Sequence, residues 1–245
     1  MSITLQNLGV RYGARVALAD VSFTAQRGRV TAVCGPNGSG KSSLVRAVAG
    51  LTPSTGSIGL DDPAGGGGRP RVGYMPQDIT APPALSAIEV VLLGRLSSLA
   101  LRIDPADLEA AAGLLDRLGI ASLANRDVRE LSGGQRQLVF LGQALCGSPG
   151  VILLDEPTSA LDLRHQLQVL SLLRELVRER GLTCLVVLHD LNAAARYADD
   201  VALLAGGRLV GFGPPAGIFT RDSVARAFGV EAAVGMAPDG CVTVT

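Results

Sequence analysis

Gly35-Pro36-Asn37-Gly38-Ser39-Gly40-Lys41-Ser42, continued by Ser43, gathers three glycines, a lysine and a run of hydroxyls in one short stretch. Glycines let successive backbone N–H groups converge on an anion with no side chain in the way. The spacing fits G-x-x-x-x-G-K-[ST], in which the lysine reaches terminal phosphates and the next hydroxyl holds Mg²⁺. An ordinary glycine turn needs neither Gly40-Lys41 nor Ser42 at these offsets. A nucleoside triphosphate with Mg²⁺ is the expected ligand, contacted by residues 35–43, with Ser42 on the metal.

A second cluster is Leu154-Asp155-Glu156, which closes the apolar run Val151-Ile152-Leu153-Leu154. Carboxylates at the C-terminal edge of a parallel sheet lie in the crevice where ligands bind. Asp155 is expected to hold Mg²⁺, directly or through water, and Glu156 to orient and deprotonate an attacking water. The plain alternative for such acids is a helix cap, and the glycine-rich stretch upstream weighs against it. Leu131-Ser132-Gly133-Gly134-Gln135 opens another helix with a serine and two glycines, a second N-terminus able to grip phosphate.

To work, the glycine-rich stretch must join a strand to a helix, and its flanks supply both. Val30-Thr31-Ala32-Val33-Cys34 leads in, and a helix over residues 41–49, stopped by Gly50, aims its positive end at the phosphates. The run before Asp155 is apolar on both faces, as in a central parallel strand. Ile3, Leu5, Leu8 and Val10, then Val16, Leu18, Val21 and Phe23, predict antiparallel strands joined by a turn at Arg11-Tyr12-Gly13. Tyr12, one of three tyrosines and five phenylalanines, either offers its face to an adenine ring or packs on the surface. Residues 61–68, ending in four glycines, predict a flexible hairpin tip. The chain returns from it through Val72-Gly73-Tyr74-Met75 to Pro76-Gln77-Asp78.

Residues 79–129 read as helical, with one helix over 86–96 and another opened by Asp104-Pro105 and ended by Gly119. A helix over 133–146 follows. Leu163, Leu167, Leu170, Leu173 and Val177 mark a further one up to Arg180-Gly181. Strand 183–188, helix 191–197, strand 201–205 and its hairpin partner 208–212 come next. A tail carries a helix near 222–228 and a strand at 241–244. The pattern predicts an α/β fold: a P-loop NTPase core with a mixed central sheet, an N-terminal antiparallel β subdomain and an inserted α-helical subdomain. It reads as a single domain over 1–245, with a core lobe of 1–77 and 150–245 and a helical lobe of about 78–149.

Composition excludes several classes. Of the 245 residues 47% are hydrophobic, and Lys+Arg and Asp+Glu both number 22, so no global field attracts nucleic acid or anionic lipid. No apolar run approaches the roughly 20 residues that span a bilayer, and the N-terminus is no signal peptide. Cys34, Cys146, Cys184 and Cys241 lack C-x-x-C spacing and read as reduced, mostly buried thiols of a cytoplasmic protein.

With Leu131–Gln135 reading LSGGQ, the motifs in this order resemble the ATPase subunit of ATP-binding cassette (ABC) transporters over nearly the whole chain. The resemblance implies that Tyr12 stacks on adenine and that Gln77 contacts Mg²⁺ and senses a membrane subunit. It implies that Ser159-Ala160-Leu161-Asp162 is the D-loop and that His189 contacts the γ-phosphate. It further implies two copies meeting head to tail, each phosphate loop facing the other chain's Ser132, Gly133, Gly134 and Gln135. His165, the other histidine, reads as a solvated helix position.

A narrower likeness lies in Val90-Val91-Leu92-Leu93-Gly94-Arg95, Leu161-Asp162-Leu163-Arg164-His165-Gln166 and His189-Asp190-Leu191-Asn192. These look like importers of iron–siderophore complexes, haem and vitamin B12. Such a subunit would sit peripherally on the cytoplasmic face of the inner membrane, bound to permease subunits and served by a substrate-binding protein. The permease is expected to dock near residues 78–100, where Leu85, Ile88 and Leu92 lie. Gln143 departs from an arginine common after the signature, and the stretch between Leu60 and Val72 looks short. Zinc or manganese transport is an alternative. A cassette acting on nucleic acid would need basic patches or a second cassette, and a small-molecule kinase would not need Ser132–Gln135 or His189.

Overall fold

Alternate residues of the buried strands face opposite sides of one sheet, and this period of two divides the interior. Val151, Leu153, Leu185 and Val187 point into one apolar cluster, and Ile152, Leu154, Cys184 and Val186 into the other. Strands covered on both faces read as continuous apolar runs, as these do.

The computed structural model describes residues 1–61, 71–79, 84–95 and 104–245. Strands β1 (Ser2–Tyr12) and β2 (Arg15–Ala25) form a hairpin, and β3 (Val30–Cys34) runs into helix α1 (Lys41–Val48). Then come β4 (Ser54–Asp61), β5 (Val72–Met75), α2 (Ala87–Leu93), α3 (Pro105–Arg117) and α4 (Gly133–Cys146). The rest of the order is β6 (Val151–Asp155), α5 (Leu163–Arg180), β7 (Thr183–Val187), α6 (Leu191–Tyr197), β8 (Asp200–Ala205) and β9 (Arg208–Gly213). Helices α7 (Pro215–Ile218) and α8 (Arg221–Phe228) and strands β10 (Val234–Met236) and β11 (Val242–Val244) close the chain.

The central sheet has the order β5-β6-β7-β3-β8-β9, parallel except for the antiparallel pair β8 and β9. The antiparallel sheet β2-β1-β4 and α1 share one cluster, and α2 to α6 contribute to the other. The expected mixed sheet and N-terminal antiparallel sheet are therefore present. Among the described residues no helix is long and apolar enough to cross a membrane.

Three local expectations need correction. The first turn falls at Gly13-Ala14, so Tyr12 ends β1 instead of sitting in the turn. Strands β4 and β5 belong to different sheets and so do not pair as a hairpin; the glycine-rich stretch expected at its tip falls on residues 62–70, outside the described residues. The helix expected up to Arg180-Gly181 is α5, whose buried residues are Val169, Leu170, Leu173, Leu176 and Val177, with Leu163 and Leu167 exposed. Leu92 is buried and so is no docking residue.

Helix α4 is tied at its far end. Its last carbonyls lack intrahelical donors, and arginines from three places supply them. Arg180 donates to Leu145 O at 3.3 Å, Arg95 to Cys146 O at 3.4 Å and Arg71 to Gly147 O at 3.4 Å. Positive charge there also suits the helix dipole. Beside it, a Cβ on Gly94 would meet the Gln143 carbonyl at 1.9 Å, so the end of α2 lies backbone-to-backbone on α4.

Candidate nucleotide site

The turn from β3 into α1 builds the centre of the site. Gly35 has φ +146°, and a Cβ there would lie 2.1 Å from the Leu204 carbonyl, so the loop must start with glycine to pass β8. Gly40 caps α1 without a side-chain hydrogen bond, leaving the first-turn N–H groups without a capping partner. Lys41 is buried and donates to the carbonyls of Gly35 (2.9 Å) and Pro36 (3.0 Å). Burial lowers its pKa, opposed by the charges of Glu156 and Asp155. Ser39 Oγ is buried without a partner.

Asp155 ends β6 fully buried. Ser42 Oγ–H donates to its Oδ1 at 3.0 Å, and its Oδ2 has no hydrogen-bond partner. Burial raises the Asp155 pKa, while Ser42 and then Arg46 pull it down. A buried carboxylate with one open oxygen beside a serine hydroxyl is a donor set that fits a hard divalent cation.

One residue further on, Glu156 has φ +56°, a left-handed backbone uncommon outside glycine and asparagine. His189 Nε2 stands 2.6 Å from its Oε1. A carboxylate only accepts, so this ring nitrogen carries the proton. His189 follows β7 and precedes Asp190, whose side chain caps α6 by accepting from Asn192 and Ala193 N–H.

One cavity of about 640 Å³ is lined by Asn37, Gly38, Gly40, Lys41, Ser42 and Ser43 with Tyr12, Gln77, Glu156 and His189, while the buried Asp155 lies behind Ser42. Tyr12 is 46% exposed, and hydrogen bonds with Ser43 and Thr52 hold its phenol below its ordinary pKa. Arg15 and Ala17 of β2 also line it and had no signal in the sequence beyond following the Tyr12 turn.

Ser132, Gly133, Gly134 and Gln135 are not brought to this cavity. Ser132 caps α4, accepting from Gln135 N–H at 3.2 Å, while its own N–H donates to Gln135 Oε1 at 3.1 Å. His165 is exposed and lies against Asp162 at 2.8 Å, outside the cavity as expected. Cys34, Cys146 and Cys184 are buried and Cys241 half-buried, all as free thiols; burial pushes Cys34 up to about 12.

Fold and cavity together define a phosphate-loop nucleotide-binding protein. Residues 18–159 match the ABC transporter family, and the chain belongs to that family. It is 36% identical over its whole length to the cobalamin import ATP-binding protein BtuD of Halobacterium salinarum, spanning 63% of that protein. It is 40% identical to the hemin import ATP-binding protein HmuV of Myxococcus xanthus, over 96% of this chain and 92% of that one. The manganese transport system ATP-binding protein MntB of Bacillus subtilis is 37% identical over 93% and 92%. A solved transporter described as of metal-chelate type, in an inward-facing conformation, superimposes with a TM-score of 0.84 at 30% identity, covering 100% of this chain and 97% of that one.

Proposed function

We propose that the chain hydrolyses ATP to ADP and phosphate and couples that reaction to import through separate membrane subunits. The observation that carries this reading is the Glu156–His189 pair, 2.6 Å apart in the same cavity as Lys41 and Ser42. Lys41 and the first N–H groups of α1 bind the terminal phosphates, and Tyr12 stacks on the adenine. Ser42, Asp155 and Gln77 would hold Mg²⁺, which when bound offsets charge on the phosphate oxygens. Glu156 orients a water and takes one of its protons as the oxygen attacks the γ-phosphorus. His189 fixes the Glu156 carboxylate and contacts the γ-phosphate.

Ser132, Gly133, Gly134 and Gln135 serve the nucleotide of a second copy, arranged head to tail. Their distance from their own cavity supports that arrangement. Residues 1–77 and 150–245 act as the core lobe and about 78–149 as a helical lobe that carries the permease contact. The chain works peripherally at the cytoplasmic face of the inner membrane, with a substrate-binding protein delivering cargo. Similarity to hemin and cobalamin import proteins supports an iron chelate, haem or vitamin B12 as cargo. The manganese relative, similar over nearly the whole chain, supports a second reading.

The test is Glu156→Gln. Turnover should fall about 10²–10⁴-fold, with Mg·ATP binding intact. Near-normal hydrolysis would remove Glu156 from the role of base.

A further inference from the structure

Gln137 lies inside α4, next to the buried Leu138 and Val139, and is only 3% exposed. A buried amide among apolar side chains is costly unless its donors and acceptor are matched. Its matches lie together on residues 156–160. Nε2 donates to the Glu156 carbonyl at 2.8 Å and to Ser159 Oγ at 3.2 Å, and Ala160 N–H donates to Oε1 at 3.0 Å. The Ser159 hydroxyl adds a bond to the same Glu156 carbonyl at 3.2 Å. This carbonyl belongs to the residue held at φ +56°. Such a backbone persists only where its surroundings over-determine it. Gly134, at the start of α4, closes on the same turn, since a Cβ there would meet the Ala160 carbonyl at 3.0 Å.

We infer that Gln137 is the positioning residue for Glu156: it pins the carbonyl, the carbonyl sets the left-handed backbone, and that backbone aims the carboxylate at His189. Because Gln137 is part of α4, the aim of the base follows the helix whose N-terminus carries Ser132. A shift of the α4 first turn therefore moves the Glu156 backbone of the same chain. This rests on Glu156 acting as the base.

The experiment compares Gln137→Leu and Gln137→Glu in the full chain. The first removes all three bonds, and the second keeps the acceptor for Ala160 N–H but faces the Glu156 carbonyl with an acceptor. Both should lower kcat about 10²-fold, the loss expected for a misplacement near 1 Å. KM for ATP and equilibrium binding of Mg·ATP should stay unchanged. In a Glu156→Gln background Gln137→Leu should lower turnover no further, because the group it positions is already gone. Ser159→Ala, at an exposed position, should give a smaller loss of the same kind and covers the case in which both Gln137 variants fail to fold. Normal kcat in these variants, a parallel loss of Mg·ATP binding, or an additive loss in the Glu156→Gln background overturns the inference. Wild-type turnover by Glu156→Gln alone overturns the base assignment instead, whatever Gln137 does.

Discussion

Asp155→Asn should stabilise the nucleotide-free protein and blunt its response to Mg·ATP. The carboxylate is fully buried, with Oδ1 accepting from Ser42 and Oδ2 accepting from nothing. Burial is the largest influence on its pKa and raises it. An acid whose folded pKa lies above its unfolded value binds its proton more readily when folded, so ionisation penalises the fold. That penalty is complete above the folded pKa and fades as pH falls through it. Asparagine keeps the acceptor for Ser42 and deletes the charge. Relieving the buried charge, less the attraction of Arg46 and Lys41 and the cost of the unpartnered amide N–H groups that replace Oδ2, is worth about 1–2 kcal/mol at most. For a chain of this size that corresponds to about 2–8 °C in Tm. Thermal unfolding followed by circular dichroism, from about pH 8 down into the carboxylate range, reads it directly. The variant should melt higher at the upper pH, with the gap closing at the lower one. Saturating Mg·ATP should reverse the order: at 100 times Kd the wild type gains about 2.7 kcal/mol, and the variant, lacking the metal ligand, gains less. A variant that melts below wild type at the upper pH, or a gap that widens on acidification, would refute the reasoning.

Two further outcomes follow from the same geometry. A mixture of Lys41→Ala chains with Ser132→Arg chains should yield dimers that trap one ATP, because a site composed in trans collects both lesions at one place and leaves the other whole; dimers trapping none would show that each chain serves itself. Ser132→Ala removes the α4 cap and should cost about 1 kcal/mol, or about 2–4 °C in Tm, while Gly133→Ala, whose Cβ meets nothing nearer than 3.8 Å, should melt no lower than wild type. A larger fall for Gly133→Ala than for Ser132→Ala would contradict the assigned cap.

Much of the site was legible because its determinants are local. Residues 35–43 act through spacing along one turn, and Asp155 and Glu156 through the strand they close, so reading order and function coincide there. Gln137 was not legible because its partners, Glu156, Ser159 and Ala160, lie across the fold. In the sequence it is one of three glutamines in this helix, with Gln135 and Gln143, and nothing there sets it apart. The α5 periodicity located the helix, but helical spacing does not give the length over which a face is covered, and Leu163 and Leu167 are exposed. The β4–β5 connection misled because glycine content reports what a segment cannot form, not which strands its ends join. Tyr12 slipped by one position for a related reason: a strand can run to the last residue before its turn.

The arginines at the end of α4 turn that helix into a lever. Its 14 residues span about 21 Å at 1.5 Å per residue. One end is tied by Arg71 just before β5, Arg95 just after α2 and Arg180 at the end of α5, and at Gly94 the backbones of the two segments lie in close contact. A tilt of about 3° over that length displaces the Ser132 end by about 1 Å. On the scale of catalytic alignment, 1 Å corresponds to about 10²-fold in rate. Three degrees at the anchored end is thus the angular tolerance within which the opposite end must be held.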